Sequence, residues 1–199
     1  MDRKEEIIKK ALKLFLQKGY EKASLNDIAR EVGISKPGVY HYFASKDKLF
    51  HDVLSYFNIE MKKWSLTRFQ SCDNIHDFLR AIFSSLSSLK EVAKEILGIS
   101  EEQTSYSFLE LLLSASKKDN NIKDQIGNSY IITRENINTL LENAQNNGEI
   151  RNDIDCEVFA FQIVALIEGI LLISSFDDSI DIDIIGEKIF NNIWKMLLL

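Results

Sequence analysis

Residues 33–50 have the sequence GISKPGVYHYFASKDKLF. Ser35 can cap a short helix that carries a lysine, two tyrosines and a histidine, and Ser45 can cap another helix soon afterwards. A buried helix would not hold so many polar side chains, because each of them would need a hydrogen-bond partner in the core. We therefore interpret this stretch as a surface helix that binds another molecule.

Two further helices are predicted before this stretch. Asp2 can cap the first, whose apolar residues recur at helical spacing. Ser24 can cap the second, with Asp27 at the capping-box position, and Gly33 permits the tight turn that follows. Two short helices joined by a glycine-containing turn of three or four residues form a helix-turn-helix.

The third helix has the residue types that recognition of a DNA major groove requires. The groove is about 12 Å wide and admits one α-helix, whose N-terminal residues meet the base edges. Gly38 would let the backbone approach DNA closely, and Lys46 at the start of the next helix is well placed for a phosphate. Tyr40 could instead lie at the edge of the core, and His41 could be a solvated side chain. The residues predicted to contact DNA are Ser24, Ser35, Lys36, Pro37, Gly38, Tyr40, His41, Tyr42 and Lys46.

The net charge of -6 is divided unevenly along the chain. Residues 1–48 hold 11 Lys and Arg against 7 Asp and Glu, a balance of +4. Residues 49–199 hold 13 against 23, a balance of -10, and the two values sum to the total. This asymmetry is expected when only the N-terminal part of a protein meets phosphate.

The N-terminal residues 3–50 resemble the DNA-binding domain of the TetR family of bacterial transcriptional regulators. The similarity rests on Leu-Phe-x-x-x-Gly-Tyr at 14–20, Ser-Leu-x-x-Ile-Ala-x-x-Val-Gly-Ile-Ser at 24–35 and Gly-Val-Tyr-x-Tyr-Phe-x-x-Lys-x-x-Leu at 38–49. The resemblance implies that DNA is approached by Ser35, Lys36, Gly38, Tyr40, His41, Tyr42 and Lys46. The order Tyr40-His41-Tyr42 differs from the family's more usual tyrosine, variable residue, histidine, so it stays open which of these side chains meets a base.

Composition favours an all-α protein. Of 199 residues, 45% are apolar and 27% charged, with one proline and eight glycines, and the apolar residues recur at spacings of three and four. The resemblance implies the rest of the architecture: a three-helix helix-turn-helix domain at residues 1–47 and a larger helical bundle at 48–199 that binds an effector and dimerises. No apolar run reaches the roughly 18 residues of a membrane span, so we expect a cytoplasmic protein. Its two isolated cysteines lack metal spacing; we expect reduced thiols, no metal and no cofactor.

Apolar periodicity also predicts where the remaining helices lie. We expect them over residues 45–69, from 73 or 74 to 89, over 90–97, from 100 onward, over 122–146 and over 154–175, with an acidic turn at 177–183 before a last helix.

The helix at 154–175 is apolar nearly all round, with Glu168 as its only charge between Val158 and Ile173. Such a helix is either central or covered by a partner. The resemblance implies that the last two long helices pair with their twins in a four-helix dimer interface, where Glu168 would also belong. The predicted interface residues are Phe159, Ile163, Leu166, Ile170, Ile189, Ile193, Trp194 and Leu197.

The resemblance further implies a small apolar effector within the C-terminal domain, and a dimeric repressor that the effector releases from a palindromic operator. The candidate pocket residues are Phe57, Glu60, Met61, Trp64, Phe78, Phe83, Tyr106, Glu110, Tyr130 and Phe159. Each aromatic residue could equally be ordinary core, and the two glutamates could be exposed or paired with arginine.

The sequence also bears on two other classes of protein, an enzyme and a helical ligand carrier or adaptor. An enzyme is disfavoured because the chain has no glycine-rich phosphate loop, no Gly-x-Ser-x-Gly, no His-Glu-x-x-His and only three separated histidines. A helical ligand carrier or adaptor without operator binding would account for the C-terminal domain. It would leave the basic, capped and tyrosine-rich N-terminal domain unexplained.

Overall fold

The computed structural model describes residues 2–69, 72, 74–97 and 105–198, with the side chains of residues 69, 89, 93, 97 and 105–107 outside the description. Within these ranges the chain forms α-helices and no strands, so the predicted all-α class is confirmed. The helices are α1 Arg3–Lys22, α2 Leu25–Val32, α3 Lys36–Tyr42, α4 Lys46–Phe69, α5 Ile75–Phe83, α6 Leu86–Leu97, α7 Ser105–Ser116, α8 Asn120–Asn146, α9 Cys156–Ile173 and α10 Ile182–Leu197.

The predicted caps of the first three helices are all present. Asp2 accepts a hydrogen bond from the backbone N–H of Lys4, and Ser35 accepts one from Gly38. Ser24 completes its capping box, with both reciprocal hydrogen bonds formed. Gly33 has φ 74°, in the left-handed region that favours glycine, and ends α2. These local signals fix the tight turn between α2 and α3.

The residues pack into two compact units, which we call unit 1 (Met1–Lys63 and Val92–Ile126) and unit 2 (Trp64–Glu91 and Gly127–Leu199). The core of unit 1 contains the apolar faces of α1 to α4 together with Leu111, Ala115 and Ile122 from α7 and α8. The helix-turn-helix therefore rests on a core that later helices complete. The predicted domain boundary after residue 47 remains a prediction.

Unit 2 has its own core, built from α5, α8, α9 and α10 together with Leu86 at the start of α6. Its fully buried side chains include Phe83, Leu86 and Leu141. Helix α10 packs on α5 at Gly186, where a Cβ atom would collide with the backbone carbonyl oxygen of Phe83. A residue without a side chain is therefore required for this helix contact.

Predicted helix boundaries were wrong at two places in the chain, between α5 and α6 and at the start of α10. Helix α5 ends at Phe83, because the hydroxyl of Ser85 donates to the carbonyl of Ala81 while the N–H of Ser85 bonds the carbonyl of Ile82, three positions back. The apolar stripe continues across this break into buried Leu86, which is why its periodicity predicted one helix to residue 89. Helix α10 begins at Ile182, inside the predicted acidic turn. Asp181 caps it by accepting from the N–H groups of residues 183 and 184. The predicted helix starts at residues 73 and 100 lie outside the described residues.

Helix α9 also corrects the statement that no apolar run is long enough for a membrane span. Its 18 residues, Cys156–Ile173, have a mean hydropathy of 2.1 and could cross a membrane by length and composition alone. Gln162 and Glu168 interrupt the run in the sequence but leave the average high. This is weak evidence for a membrane helix, because an apolar helix of a soluble protein gives the same values.

Candidate nucleic-acid interface

Helix α3 is divided into a buried and an exposed side. Val39 is fully buried, and Phe43, which ends the helix, is 1% exposed. On the other side Tyr40 is 48% and Tyr42 38% exposed. With the exposed residues Lys36 and His41, the two tyrosines form what we call the α3 surface. A seven-residue helix that shows two large aromatic rings to solvent has a surface suited to binding.

Neighbouring side chains on the α3 surface contact each other. The Nζ atom of Lys36 lies 5.8 Å from the centre of the Tyr40 ring, a cation–π arrangement. The rings of His41 and Tyr42 meet edge to face at 5.2 Å. A cation and three flat rings are thus placed together, and they offer donors and stacking surfaces to base edges or sugars.

Gly38 has room for a side chain within the protein itself. A Cβ atom there would lie 3.4 Å from Oγ of Ser35 and 3.6 Å from side-chain atoms of Ile34, which is ordinary contact. Packing inside the chain therefore does not require glycine at this position. The predicted close approach of DNA to the backbone of α3 is compatible with glycine here and remains a prediction.

Ser24 is exposed, but its hydroxyl is engaged at the start of α2. It donates to Oδ2 of Asp27 at 2.6 Å and accepts from the N–H of the same residue at 3.2 Å. The hydrogen bond from Ser24, followed by that from Lys18, lowers the pKa of Asp27 to about 2. The carboxylate therefore stays charged and fixes the entry into the helix-turn-helix.

Lys46 makes contacts that its position in the sequence did not indicate. Its Nζ atom donates to the backbone carbonyl of Tyr20 at 2.9 Å and lies 4.4 Å from the centre of the Tyr20 ring. Asp47 next to it accepts a hydrogen bond from the Tyr20 hydroxyl. The ammonium group thus holds the end of α1 against the start of α4. An ammonium has three N–H donors, so a phosphate contact is compatible with this position.

The predicted pocket residues of unit 1 are partly paired within the unit. Phe57 packs on Phe108, with ring centres 4.5 Å apart. Glu60 accepts a hydrogen bond from Lys63 at 2.6 Å. Met61 is half-buried and Glu110 is exposed. The side chain of Tyr106 lies outside the described residues.

The predicted pocket residues of unit 2 differ in burial. Phe83 is 0% and Phe159 9% exposed, so both belong to the unit's core. Trp64 and Phe78 are half-buried. Tyr130 is 37% exposed, and its hydroxyl donates to Oε1 of Glu168 at 3.2 Å. The effector site remains a prediction for all of these residues.

The predicted dimer residues fall into three groups by burial. Phe159, Ile163, Ile193 and Leu197 lie in the core of unit 2. Half-buried residues are Ile170, Ile189 and Trp194, and Leu166 is 40% exposed. If α9 and α10 form an interface as predicted, the four core residues could only support it from beneath, and more exposed side chains would contact the partner. The interface remains a prediction.

A different set of apolar residues on α9 and α10 is open to solvent. Its members are Val158, Phe161, Leu172, Ile173, Ile184, Ile185 and Met196. The sequence prediction missed these residues because α9 is apolar on nearly every side. Periodicity alone did not separate the face buried in the core of unit 2 from the face turned to solvent. The angular positions of the α9 residues around the helix axis, measured from buried Ile163, would have separated the two faces.

Comparisons with known proteins cover both parts of the chain. The family described as bacterial regulatory proteins, tetR family, matches residues 7–53, and the tetracyclin repressor-like C-terminal domain matches residues 107–182. YuxN of Bacillus subtilis (strain 168), an uncharacterized HTH-type transcriptional regulator, is 50% identical over 58 residues, which are 29% of this chain and 20% of YuxN. IcaR of Staphylococcus aureus (strain Newman), a negative transcriptional regulator of the biofilm operon icaADBC, is 43% identical over 47 residues, 24% of this chain and 25% of IcaR. The chain thus aligns with a quarter or less of these two curated relatives.

Structural similarity extends over the whole chain. FadR of Bacillus subtilis, solved in complex with stearoyl-CoA, superposes with a TM-score of 0.73 at 14% identity and covers 97% of this chain and 98% of its own. At that identity the likeness establishes the fold. With the family's DNA-binding domain at one end, its C-terminal domain at the other and its fold throughout, the chain belongs to the TetR family of bacterial transcriptional regulators.

Proposed function

We propose that the protein is a dimeric repressor that binds a palindromic operator through α3 and leaves it when a small molecule binds. One feature carries most weight: a capped helix-turn-helix presents Lys36, Tyr40, His41 and Tyr42 to solvent while Val39 and Phe43 anchor the same helix in the core. Operator DNA is in the cytoplasm of bacteria, and the protein acts there.

Dimerisation is supported by the exposed apolar side chains of α9 and α10. Val158, Phe161 and Ile173 are each more than half exposed, and a monomer would leave this surface in water. A helix-turn-helix also needs two copies to contact two half-sites related by a two-fold axis.

Control by an effector is supported by proteins to which this chain is similar. FadR, which shares the fold, was solved with stearoyl-CoA, and IcaR is named a negative regulator. We expect the effector of this protein to bind near the half-buried aromatic residues Trp64 and Phe78 of unit 2.

Salt dependence of DNA binding tests the proposed function. A duplex selected from a random pool and a scrambled duplex of equal length are titrated with the full chain at several salt concentrations. Because phosphate contacts release counterions, the logarithm of affinity should fall linearly with the logarithm of salt. Binding without that slope, or no binding to either duplex, would favour a ligand carrier or adaptor.

Lys46→Ala tests the phosphate contact within the same experiment. We expect weaker binding to both duplexes alike and a slope less negative by about two, about one for each lysine of the dimer. Thermal unfolding of the variant is recorded in parallel, because Lys46 also bonds the Tyr20 carbonyl. A lower melting temperature with an unchanged slope would assign Lys46 a structural role only.

A further inference from the structure

An exposed stripe runs along α9 at the spacing of a helix-pairing surface. Its residues are Val158, Phe161, Ala165, Glu168 and Leu172, separated by three, four, three and four positions. Val158 is 52%, Phe161 56% and Leu172 37% exposed. This alternation keeps one face of a helix against a partner helix over several turns. A carboxylate lies in an otherwise apolar stripe.

The carboxylate of Glu168 lacks a cationic partner among the described residues of its own chain. Burial by neighbouring side chains raises the pKa of its carboxyl, and the Tyr130 hydroxyl donates to it at 3.2 Å. Among the described residues no lysine, arginine or histidine nitrogen lies within ion-pair distance of this carboxylate. A helix packed on the stripe would remove still more water, so Glu168 would then need a cation.

Arg134 has the opposite charge and lacks a hydrogen-bond acceptor for one of its donors. It lies one helical turn after Tyr130 on α8, and its guanidinium carbon lies 5.6 Å from the centre of the Phe161 ring. Its Nε atom is buried and has no hydrogen-bond partner within the described part of the chain. A buried unpaired donor of a charged group is costly. The Nε atom itself has almost no accessible surface, so an acceptor from outside the protomer would stabilise the guanidinium through its terminal N–H groups.

Two-fold symmetry would bring these two groups together. In an isologous interface α9 meets its own twin, and the two helices approach most closely where side chains are smallest. Ala165 is the small residue at the middle of the stripe, three positions before Glu168 and four after Phe161. If the axis passes beside Ala165, Glu168 of one copy lies opposite Phe161 of the other. Arg134 is stacked on that phenylalanine.

We propose that Glu168 of each protomer forms an ion pair with Arg134 of a second copy, so that two reciprocal bridges fix the register of the α9 stripes. This pairing rests on the proposed homodimer and names the charged residues that select its partner. An ion pair between Glu168 and Arg134 of the same chain would give a different result in the following experiment. An anionic effector bound to Arg134 would also give a different result.

Charge reversal on separate chains distinguishes these cases. The full-length variants Glu168→Arg and Arg134→Glu are studied alone and as an equimolar mixture by sedimentation equilibrium. Alone, each would place like charges together at both bridges, and self-association should weaken at least about 30-fold. In the heterodimer that forms in the mixture, each bridge again joins one positive and one negative side chain. The heterodimer should then form with an affinity within about threefold of the unmodified homodimer.

Glu135→Arg is the matched control, because it reverses a charge at the exposed position next to Arg134 on α8. Its dimer affinity should stay unchanged, and circular dichroism should show all variants folded.

Weak self-association of each variant with no recovery in the mixture would overturn the intersubunit pairing and favour a pair within one chain. Unchanged self-association of either variant would also overturn it while leaving the homodimer intact. An unmodified chain that sediments as a monomer would instead overturn the dimer itself.

Discussion

Replacing Gly186 by alanine should lower the free energy of unfolding of unit 2 by about 3 kcal/mol, the upper part of the range for overpacked cores. The added Cβ would collide with the backbone carbonyl of Phe83 and lie 3.1 Å from Cδ1 of Leu86. A backbone atom cannot turn away as a flexible side chain can, so α10 must shift from α5. A loss of this size is a large fraction of the stability of an ordinary domain. Urea unfolding followed by circular dichroism measures it.

Gly127→Ala is the control for this substitution. It makes the same chemical change inside a helix of the same unit, but a Cβ there meets nothing within 4 Å. The variant should be unchanged or more stable by about 0.5–1 kcal/mol, because alanine favours the helix. Equal stability of the two variants would show that the close contact between α5 and α10 is absent in solution.

Alanine at Tyr40 or at Lys36 should weaken operator binding roughly 30-fold or more. A lost base contact costs about 1–3 kcal/mol, and a dimer loses it in both half-sites. Binding to unrelated duplexes should change much less, so discrimination between operator and random DNA should fall. Fluorescence anisotropy with both duplexes measures the two affinities.

Lys62→Ala provides the comparison for Lys36→Ala. Lys62 is exposed on α4, about 24 Å along that helix from Lys46. Its removal should leave the affinity for both duplexes unchanged. If the Tyr40 and Lys36 variants lose affinity equally on operator and random DNA, their side chains contact the backbone and do not select sequence.

Local signals made the N-terminal helices predictable from sequence. The caps at Asp2, Ser24 and Ser35 and the left-handed Gly33 need only neighbours within a few residues, and the structure contains all of them. Val39 and Phe43 lie four positions apart and are both buried, which is the spacing of one face of a helix.

Contacts between distant parts of the chain were not predictable. Lys46 bonds the carbonyl of Tyr20, 26 positions earlier, and no periodic pattern encodes such a pair. The glycine at 186 is required by a carbonyl about a hundred residues away in α5, which the sequence of α10 alone does not show. Helix α9 was predicted as an element, but its exposed side chains were not singled out, because apolar residues surround it.

Selection of bound duplexes from a randomised pool tests the central claim most directly, that a dimer recognises DNA through two copies of α3. The full-length protein should enrich one sequence with inverted half-sites whose centres lie about 10–10.5 base pairs, or a multiple of that, apart. The variant with alanine at Lys36, Tyr40 and Tyr42 together should enrich no such sequence. Failure of the unmodified protein to enrich any motif, or enrichment of the same palindrome by the triple variant, would contradict the claim.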